Sequence, residues 1–409
     1  MARATFEEIP ADAGYAWVIA LASFLMQACA AGIFSGYGVF MEYYSNEIFP
    51  NESKFKVAMI GNLGPTVIGV ASMVTGQVCQ TFGMRVCILV GAMLMSAGHI
   101  LASFGTEIWY FALTQGVMVG LGGALLYVPA NILVAEWFEK KQGLAAGLGA
   151  AGTGIGGVGF AQLNSRLLPL IGYRWTLQVN GGLILFILLL ALCMVRRREN
   201  VVKDDTESDF DSSLVMSGGF FWFSVTSFIA GSVYLVPLYF INSYTISIGM
   251  TRIEGGYANS AINLGSAVGR IVMGVLGDQI GYVRCFILTL VLSALTAIIW
   301  WVSDGFTMLL LFCALYGIPS GGYAGGFGST CSAIFDRQVS SMMGLAFFFT
   351  GLGGLVGPII CGLLLDMFND YNLIVYFTIG GYALASFTMC LSSHYTNKKI
   401  LYETPIFFT

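Results

Sequence analysis

Charge is scarce in this chain. Only 10% of its 409 residues are Asp, Glu, Lys or Arg, whereas a soluble domain carries about 25%. So few charges could not cover the surface of a water-soluble globule of this length, and disordered or nucleic-acid-binding chains need still more of them. Because 57% of the residues are apolar, we expect the chain to be embedded in a lipid bilayer and to bind no nucleic acid.

Patterns that carry catalysis or bind metals are also missing. The two histidines, His99 and His394, are isolated in the sequence, and the nine cysteines show no metal-ligand spacing. A membrane enzyme would need a cluster of such side chains inside the bilayer. We therefore expect no catalytic residue, no metal site and no cofactor, which argues against an enzyme.

Long stretches with almost no charge dominate what is present. A bilayer-spanning helix needs roughly 20 apolar residues, and hydrocarbon forces each span to satisfy its own backbone hydrogen bonds, which favours helices. No acidic side chain lies inside the stretches, and one of them contains a single Arg, Arg270. The expected fold class is an all-α membrane protein with twelve transmembrane helices. The stretches are 13–41, 57–84, 86–106, 108–135, 142–165, 175–195, 212–251, 255–277, 285–303, 305–335, 338–365 and 371–397.

The chain reads as two halves. Two motifs recur at offsets of 198 and 197 residues: segment 76–85 pairs with 274–284, and 154–157 pairs with 351–354. In the first pair, a Gly is followed by a second Gly seven positions later and then by an Arg. Such parallel repeats are typical of carriers with a site between the halves. The predicted divisions are an N-terminal segment 1–14, six-helix bundles at 15–195 and 219–393, a linker at 196–218 and a C-terminal segment 394–409.

The distribution of Lys and Arg predicts the orientation. If the N-terminus is inside, twelve of them lie in inner loops or tails and five in outer loops, with Arg270 left over. Cytoplasmic loops carry the excess of positive charge. Both termini and the linker are therefore expected in the cytoplasm, and the expected location is the plasma membrane.

Several motifs resemble those of a known family. The repeated loop motif is similar to the hallmark of the major facilitator superfamily, with Gln80 at an acidic position in the first copy and Asp278 kept in the second. Segment 12–17, Asp-Ala-Gly-Tyr-Ala-Trp, and segment 137–152, which enters the fifth span, resemble two signatures of the monocarboxylate-transporter family. Segment 37–44 is similar to fungal members.

The resemblance implies a carrier of a small organic anion whose two bundles rock about a central site. Arg270 matches the substrate-associated Arg of the family. Ser35 and Ser266 stand where animal members carry Lys and Asp, so that proton symport and facilitated diffusion are both open. Because fungal relatives include carriers of riboflavin, a larger planar solute is an alternative, and a transporter-like nutrient receptor is another. An accessory membrane subunit would be a further partner.

Arg270 is the main candidate for substrate binding. A charge inside a span costs at least about 2.5–3.5 kcal/mol and points to function by default, and a planar guanidinium suits a carboxylate. The alternative is a structural Arg bonded to backbone carbonyls. Asn259, Asn263 and Ser266 share its helix face at three- and four-residue spacing. Weaker candidates, for which interhelical hydrogen bonding or lipid contact is the alternative, are Tyr37, Tyr127, Asn131, Tyr323 and Phe349.

Charged side chains at the cytoplasmic ends of the spans are candidates for gating. We expect them to form and release bonds between the bundles as the carrier changes conformation. The alternative is that they only set the topology and face water. They are Asp12, Arg85, Lys140, Lys141, Asp278 and Arg284.

Overall fold

The computed structural model describes residues 12, 14–138, 141–196, 217–303, 305–335 and 339–396. Within these ranges the chain forms helices and connecting turns, and no strand. Most of the predicted N-terminal segment, most of the linker and nearly all of the C-terminal segment lie outside them. The expectation of an all-α membrane fold is confirmed.

The first half contains six helical spans. The first, α1, is interrupted: it runs through Tyr15–Ala30, Gly32–Ser35 and Gly38–Tyr43 and ends in a π-helix, Tyr44–Ile48. The next three are α2, Lys54–Phe82, α3, Met84–Ala102, and α4, Ile108–Trp137, which has a π-helical turn at Ala112–Met118. One continuous element, Gln142–Met194, kinks at Gly172 and thereby forms α5 (142–171) and α6 (173–194).

The second half contains six uninterrupted helices. They are α7, Gly218–Ser247, α8, Arg252–Ile280, α9, Tyr282–Trp301, α10, Phe306–Ile334, α11, Val339–Phe368, and α12, Asn372–Thr396. In the described part of the chain, ten continuous helices are long and apolar enough to cross a membrane. With the kinked element counted as two and α1 added, the total matches the twelve predicted spans.

The first span is longer than its uncharged stretch predicts. It continues past Met41 to Ile48, so that Glu42 lies inside it and is buried. The expectation that no acidic side chain lies within a span is wrong at this position. The physical reason is that Arg252 of α8 pairs with Glu42 at 2.8 Å. This counter-ion offsets the cost of burying the Glu42 carboxylate.

The repeat seen in the sequence recurs in the backbone. Gly83 ends α2 with φ +88° and ψ +143°, and Gly281 ends α8 with φ +88° and ψ +137°. Both conformations are almost restricted to glycine, which has no Cβ. The second Gly of each loop motif is therefore required by the same sharp turn between two antiparallel helices.

Two helix pairs hold the halves together, α5 with α8 and α2 with α11. Glycines allow these backbones to touch. A Cβ added to Gly154 would lie 2.4 Å from the carbonyl oxygen of Asn263, and one added to Gly69 would lie 2.8 Å from that of Phe347. Small residues permit such close helix contacts inside a membrane.

The helices alternate in direction, which defines two ends of the bundle. The Asp12 end carries the beginning of α1 and the ends of α2 and α8. The Arg252 end carries the end of α1 and the beginnings of α2 and α8. Arg270 lies ten residues before the last residue of α8, and therefore about 15 Å from the Asp12 end at 1.5 Å per residue.

Candidate functional site

A cavity lies between the two halves near the middle of the bundle. Its volume is about 150 Å³. A closed space of about 150 Å³ is large enough to hold benzene. Helices α1, α2, α4 and α5 of the first half line it, as do α7, α8, α10 and α11 of the second.

Among the described residues that line the cavity, Arg270 is the only one with a charged side chain. It is 4% exposed, and its Nη2 donates a hydrogen bond of 3.3 Å to the hydroxyl of Tyr234. Its Nε has no partner, and among the described residues no carboxylate lies within 4.0 Å of its guanidinium. A buried charge without a counter-ion is costly, so the cavity favours an anion beside Arg270.

Two hydroxyls of the lining also lack hydrogen bonds. Thr153 of α5 is 3% exposed and Tyr323 of α10 is 2% exposed, and neither hydroxyl has a partner of normal geometry. The side chain of Thr350 is the polar neighbour of the Tyr323 hydroxyl, but the two do not form a hydrogen bond of normal geometry. An unsatisfied buried polar group costs about 1–3 kcal/mol. A ligand or ordered water in the cavity would remove that cost.

Aromatic rings form much of the remaining wall. The ring centroids of Tyr234 and Tyr323 are 5.7 Å apart, and those of Phe327 and Phe347 are 4.9 Å apart. Tyr127 of the first half meets Phe347 of the second edge-on, with the centroids 6.1 Å apart. The cavity therefore has a cationic group, two free hydroxyls and flat apolar walls, a combination that suits an organic anion with a planar or apolar body.

Three of the predicted contacts line the cavity: Arg270, Tyr127 and Tyr323. The two asparagines of α8 do not, because their amides bond across helix contacts. Asn259 donates to the carbonyl of Leu238 at 2.8 Å. Asn263 donates to the carbonyl of Ser35 in the other half at 3.3 Å. These two contacts are the interhelical hydrogen bonds that polar side chains make inside a membrane.

The remaining predicted contacts lie elsewhere. Ser266 packs its backbone against Gly321 of α10. Tyr37 donates to the carbonyl of Val57 at 3.2 Å and borders a second, 20 Å³ cavity. Asn131 is exposed and donates to the carbonyl of Tyr127 at 2.7 Å.

On α11 the lining residues are Phe347, Thr350, Gly351 and Gly354, and Phe349 is not among them. The spacing of three, four and seven residues is that of one helix face, and Phe349 lies off this face. Among the three consecutive phenylalanines 347–349, Phe347 is the one that lies three, four and seven residues before Thr350, Gly351 and Gly354. This spacing could have identified Phe347 in the sequence. Thr153, by contrast, stands in a glycine-rich segment that carries no signal for a binding residue.

The predicted gating residues of the first half bond within that half. Asp12 accepts a hydrogen bond of 2.9 Å from the backbone N–H of Lys141, and its own N–H donates to the carbonyl of Trp137 at 3.2 Å. Arg85 donates to the carbonyl of Val195 at 3.2 and 2.7 Å. The side chain of Lys141 is exposed. These contacts tie α1, α3, α4 and α6 together at the Asp12 end.

The predicted gating residues of the second half differ from one another. Asp278 lies at the boundary between the halves, since a Cβ added to Gly143 of α5 would lie 2.7 Å from its carboxylate. It also accepts a hydrogen bond from the hydroxyl of Tyr282. Arg284 is partly buried at the beginning of α9. Lys140 lies outside the described residues.

Ion pairs join the halves at the Arg252 end. The Nε of Arg252 in α8 lies 2.8 Å from Oε2 of Glu42 in α1, and its Nη2 lies 3.3 Å from Oε1 of Glu47. Asn46 donates to the other carboxylate oxygen of Glu42 at 2.7 Å. The side chain of Glu42 is 1% exposed. These partners compensate a buried carboxylate at a contact between the two halves.

Further hydrogen bonds between the halves lie between these ion pairs and the cavity. The hydroxyl of Tyr239 in α7 donates to the carbonyl of Gly61 in α2 at 3.3 Å. The amide of Gln162 in α5 donates to the hydroxyl of Ser260 in α8 at 2.8 Å. The contact of Asn263 with Ser35 is a third hydrogen bond between the halves in this region.

Known proteins match this chain over most of its length. The sequence profile of the Major Facilitator Superfamily matches residues 19–262 and 243–402. "Probable transporter MCH2" of Saccharomyces cerevisiae is 30% identical over 402 residues, which cover 94% of this chain and 82% of that protein. "MFS-type transporter 1" of an Ophiocordyceps species is 28% identical, with 86% of this chain and 79% of that protein covered.

A third relative is named for its cargo. "Agnestins efflux protein AgnL12" of Paecilomyces divaricatus is 27% identical, with 85% of this chain and 80% of that protein covered. All three relatives are named as transporters or efflux proteins, and a cavity between two six-helix halves is typical of such carriers. The chain thus belongs to the major facilitator superfamily and is a multi-pass membrane protein of its transporter type.

Proposed function

We propose that the protein carries a small organic anion of the monocarboxylate type, and that Arg270 pairs with its carboxylate. The observation that carries this proposal is the buried guanidinium in the central cavity, which has no acidic partner among the described residues. A guanidinium can bind a carboxylate through two parallel hydrogen bonds. The motifs that resemble the monocarboxylate-transporter family support the same substrate class.

Transport would proceed by alternating access. In this proposal the two halves rock about the cavity, and the contacts between them at the Arg252 end form a seal that opens and closes. Opening that end requires separation of Arg252 from Glu42 and Glu47. The excess of Lys and Arg in the loops at the Asp12 end supports a cytoplasmic position for it, in the plasma membrane. The closed end would then face the outside.

Substitution of Arg270 tests the proposal. In vesicles that contain the purified protein, Arg270→Ala is expected to reduce pyruvate uptake by at least about thirtyfold, since loss of one partner of a buried charge pair costs 2 kcal/mol or more. Arg270→Lys retains the charge but not the paired geometry and should recover only part of the uptake. The exposed Arg166 supplies the control, and Arg166→Ala should transport as the wild type does.

One result would contradict the proposal. Uptake at the wild-type rate by Arg270→Ala would exclude the pairing of Arg270 with the substrate. Gel filtration of each variant shows whether a loss of uptake comes from misfolding. Uptake measured with and without a proton gradient separates proton symport from facilitated diffusion.

A larger planar solute, such as riboflavin, is the second candidate. The observation that favours it is the aromatic character of the cavity walls. Competition of lactate, pyruvate and riboflavin for uptake distinguishes the two candidates. The relative named for agnestin efflux suggests that export be assayed as well as uptake. Binding of a solute without flux would instead indicate a transporter-like receptor.

A further inference from the structure

Thr153 differs from every other buried threonine in the described chain. Ten of eleven donate a hydrogen bond to a carbonyl three or four residues earlier in their own helix, as Thr378 does to Ile374 at 2.9 Å. This is the usual behaviour of threonine inside a helix. The hydroxyl of Thr153 makes no such bond and has no other partner. It lines the central cavity instead.

Thr153 and the charged part of the site belong to different halves of the protein. Thr153 belongs to α5 of the first half, whereas Arg270 and Tyr323 belong to α8 and α10 of the second. The next residue, Gly154, touches the backbone of α8, so Thr153 borders the cavity where the halves meet. A ligand that bonds to both Arg270 and Thr153 would connect the two halves.

The free groups restrict the chemistry of such a ligand. The Nε of Arg270 can only donate, so it calls for an anion or another acceptor. The hydroxyl of Thr153 can donate or accept, and it therefore suits a neutral oxygen or a hydroxyl. The aromatic rings of the lining offer apolar contact and no further charge.

We propose that Thr153 is a specificity-determining contact, and that the substrate is a carboxylic acid with a second oxygen, present as an oxo or hydroxyl group, which bonds to Thr153. The inference rests on the proposed function, because it takes the carboxylate to bind Arg270. It goes further by assigning the first half of the protein a direct hydrogen bond to the substrate. An acid without the second oxygen leaves the Thr153 hydroxyl unsatisfied and binds more weakly.

The test compares two pairs of acids on the purified full-length protein, by titration calorimetry. Pyruvate differs from propionate, and 4-hydroxybenzoate from benzoate, by one oxygen. We expect the wild type to prefer the oxygen-bearing acid of at least one pair by about tenfold, the value of one hydrogen bond. Thr153→Val should remove the preference without changing the affinity for the plain acid, and Thr153→Ser should restore it. Thr378→Val is the matched control and should retain the preference.

The outcomes separate this inference from the proposed function. Equal affinities within both pairs in the wild type, or a preference that survives in Thr153→Val, overturn the role of Thr153. A fall in affinity for all four acids in Thr153→Val indicates a structural role and also overturns it. Full binding of the acids by Arg270→Ala overturns the proposed function itself, whatever Thr153 does.

Discussion

At the scale of single residues, the two buried charged side chains Glu42 and Arg270 differ in their partners. Glu42 has a counter-ion, Arg252 at 2.8 Å, and its Oε1 accepts a hydrogen bond of 2.7 Å from Asn46. Arg270 has one hydroxyl partner and a free Nε. A charge with a counter-ion stabilises one arrangement of the halves, whereas a charge without one is available to a ligand.

A substitution at Gly83 tests the backbone repeat. Gly83 has φ +88°, and a Cβ at this position would meet no neighbouring atom within 4 Å. Gly83→Ala should therefore destabilise the protein by backbone strain alone, by about 1–3 kcal/mol, which lowers the thermal unfolding midpoint in detergent. Gly76 also has open space around it and has no positive φ, so Gly76→Ala is the control. Equal midpoints for the two variants would contradict the strain argument.

Single residues differ in how well the sequence predicts them. Arg270 stands out because one charge in a long apolar stretch has few roles. Glu42 does not, since a charge at the edge of a stretch looks like the beginning of a loop until its partner Arg252 is known. Asn259 and Asn263 share a face with Arg270, but the sequence does not show that neighbouring helices use up their amides.

At the scale of elements, the uncharged stretches predict the helices because the cost of burying charge and unpaired backbone is high in hydrocarbon. They do not predict their ends. The uncharged stretches leave 166–174 as a loop between two spans, yet the helices on both sides extend into it and Gly172 breaks them with non-helical φ and ψ. The interruptions of α1 at Ala31 and near Gly36 have no counterpart in the charge pattern.

The contact between α5 and α8 gives a prediction at this scale. Alanine at Gly154 would clash with the backbone of Asn263 and Ala267, and such overpacking typically costs 1–3 kcal/mol. Gly154→Ala should therefore lower the thermal unfolding midpoint and slow transport. Gly159 lies on the same helix with no atom within 4 Å of an added Cβ. Gly159→Ala should leave both unchanged, and a similar fall in both variants would refute the role of close packing.

At the scale of the whole molecule, ion pairs of Arg252 with Glu42 and Glu47 join the two halves at the Arg252 end. Arg252→Gln leaves Glu42 charged and buried without its partner, which costs about 3–5 kcal/mol, so the balance should shift by more than tenfold towards the state open at this end. Spin labels on Asn51→Cys and Ser247→Cys, both exposed and in different halves, should then move apart. Exposed pairs contribute little, so Lys56→Ala should not change the distance.

An unchanged label distance in Arg252→Gln would mean that other contacts hold this end closed. The contacts that would remain are the hydrogen bonds of Tyr239 with Gly61, of Gln162 with Ser260 and of Asn263 with Ser35. Removing them one at a time would then locate the dominant one. The sequence did not predict any of these pairings, because each joins residues that are at least 98 positions apart.

In the proposed alternating-access cycle, the seal at the Arg252 end also determines from which side the protein can be blocked. A compound that cannot cross the membrane, if added on the Arg252 side, would then reach Arg270 only after Arg252 separates from Glu42. Its potency would report how often the seal opens rather than how well it fits the cavity. The same compound could thus be a weak blocker of the wild type and a strong one of a variant with a loosened seal, with no change in the binding residues.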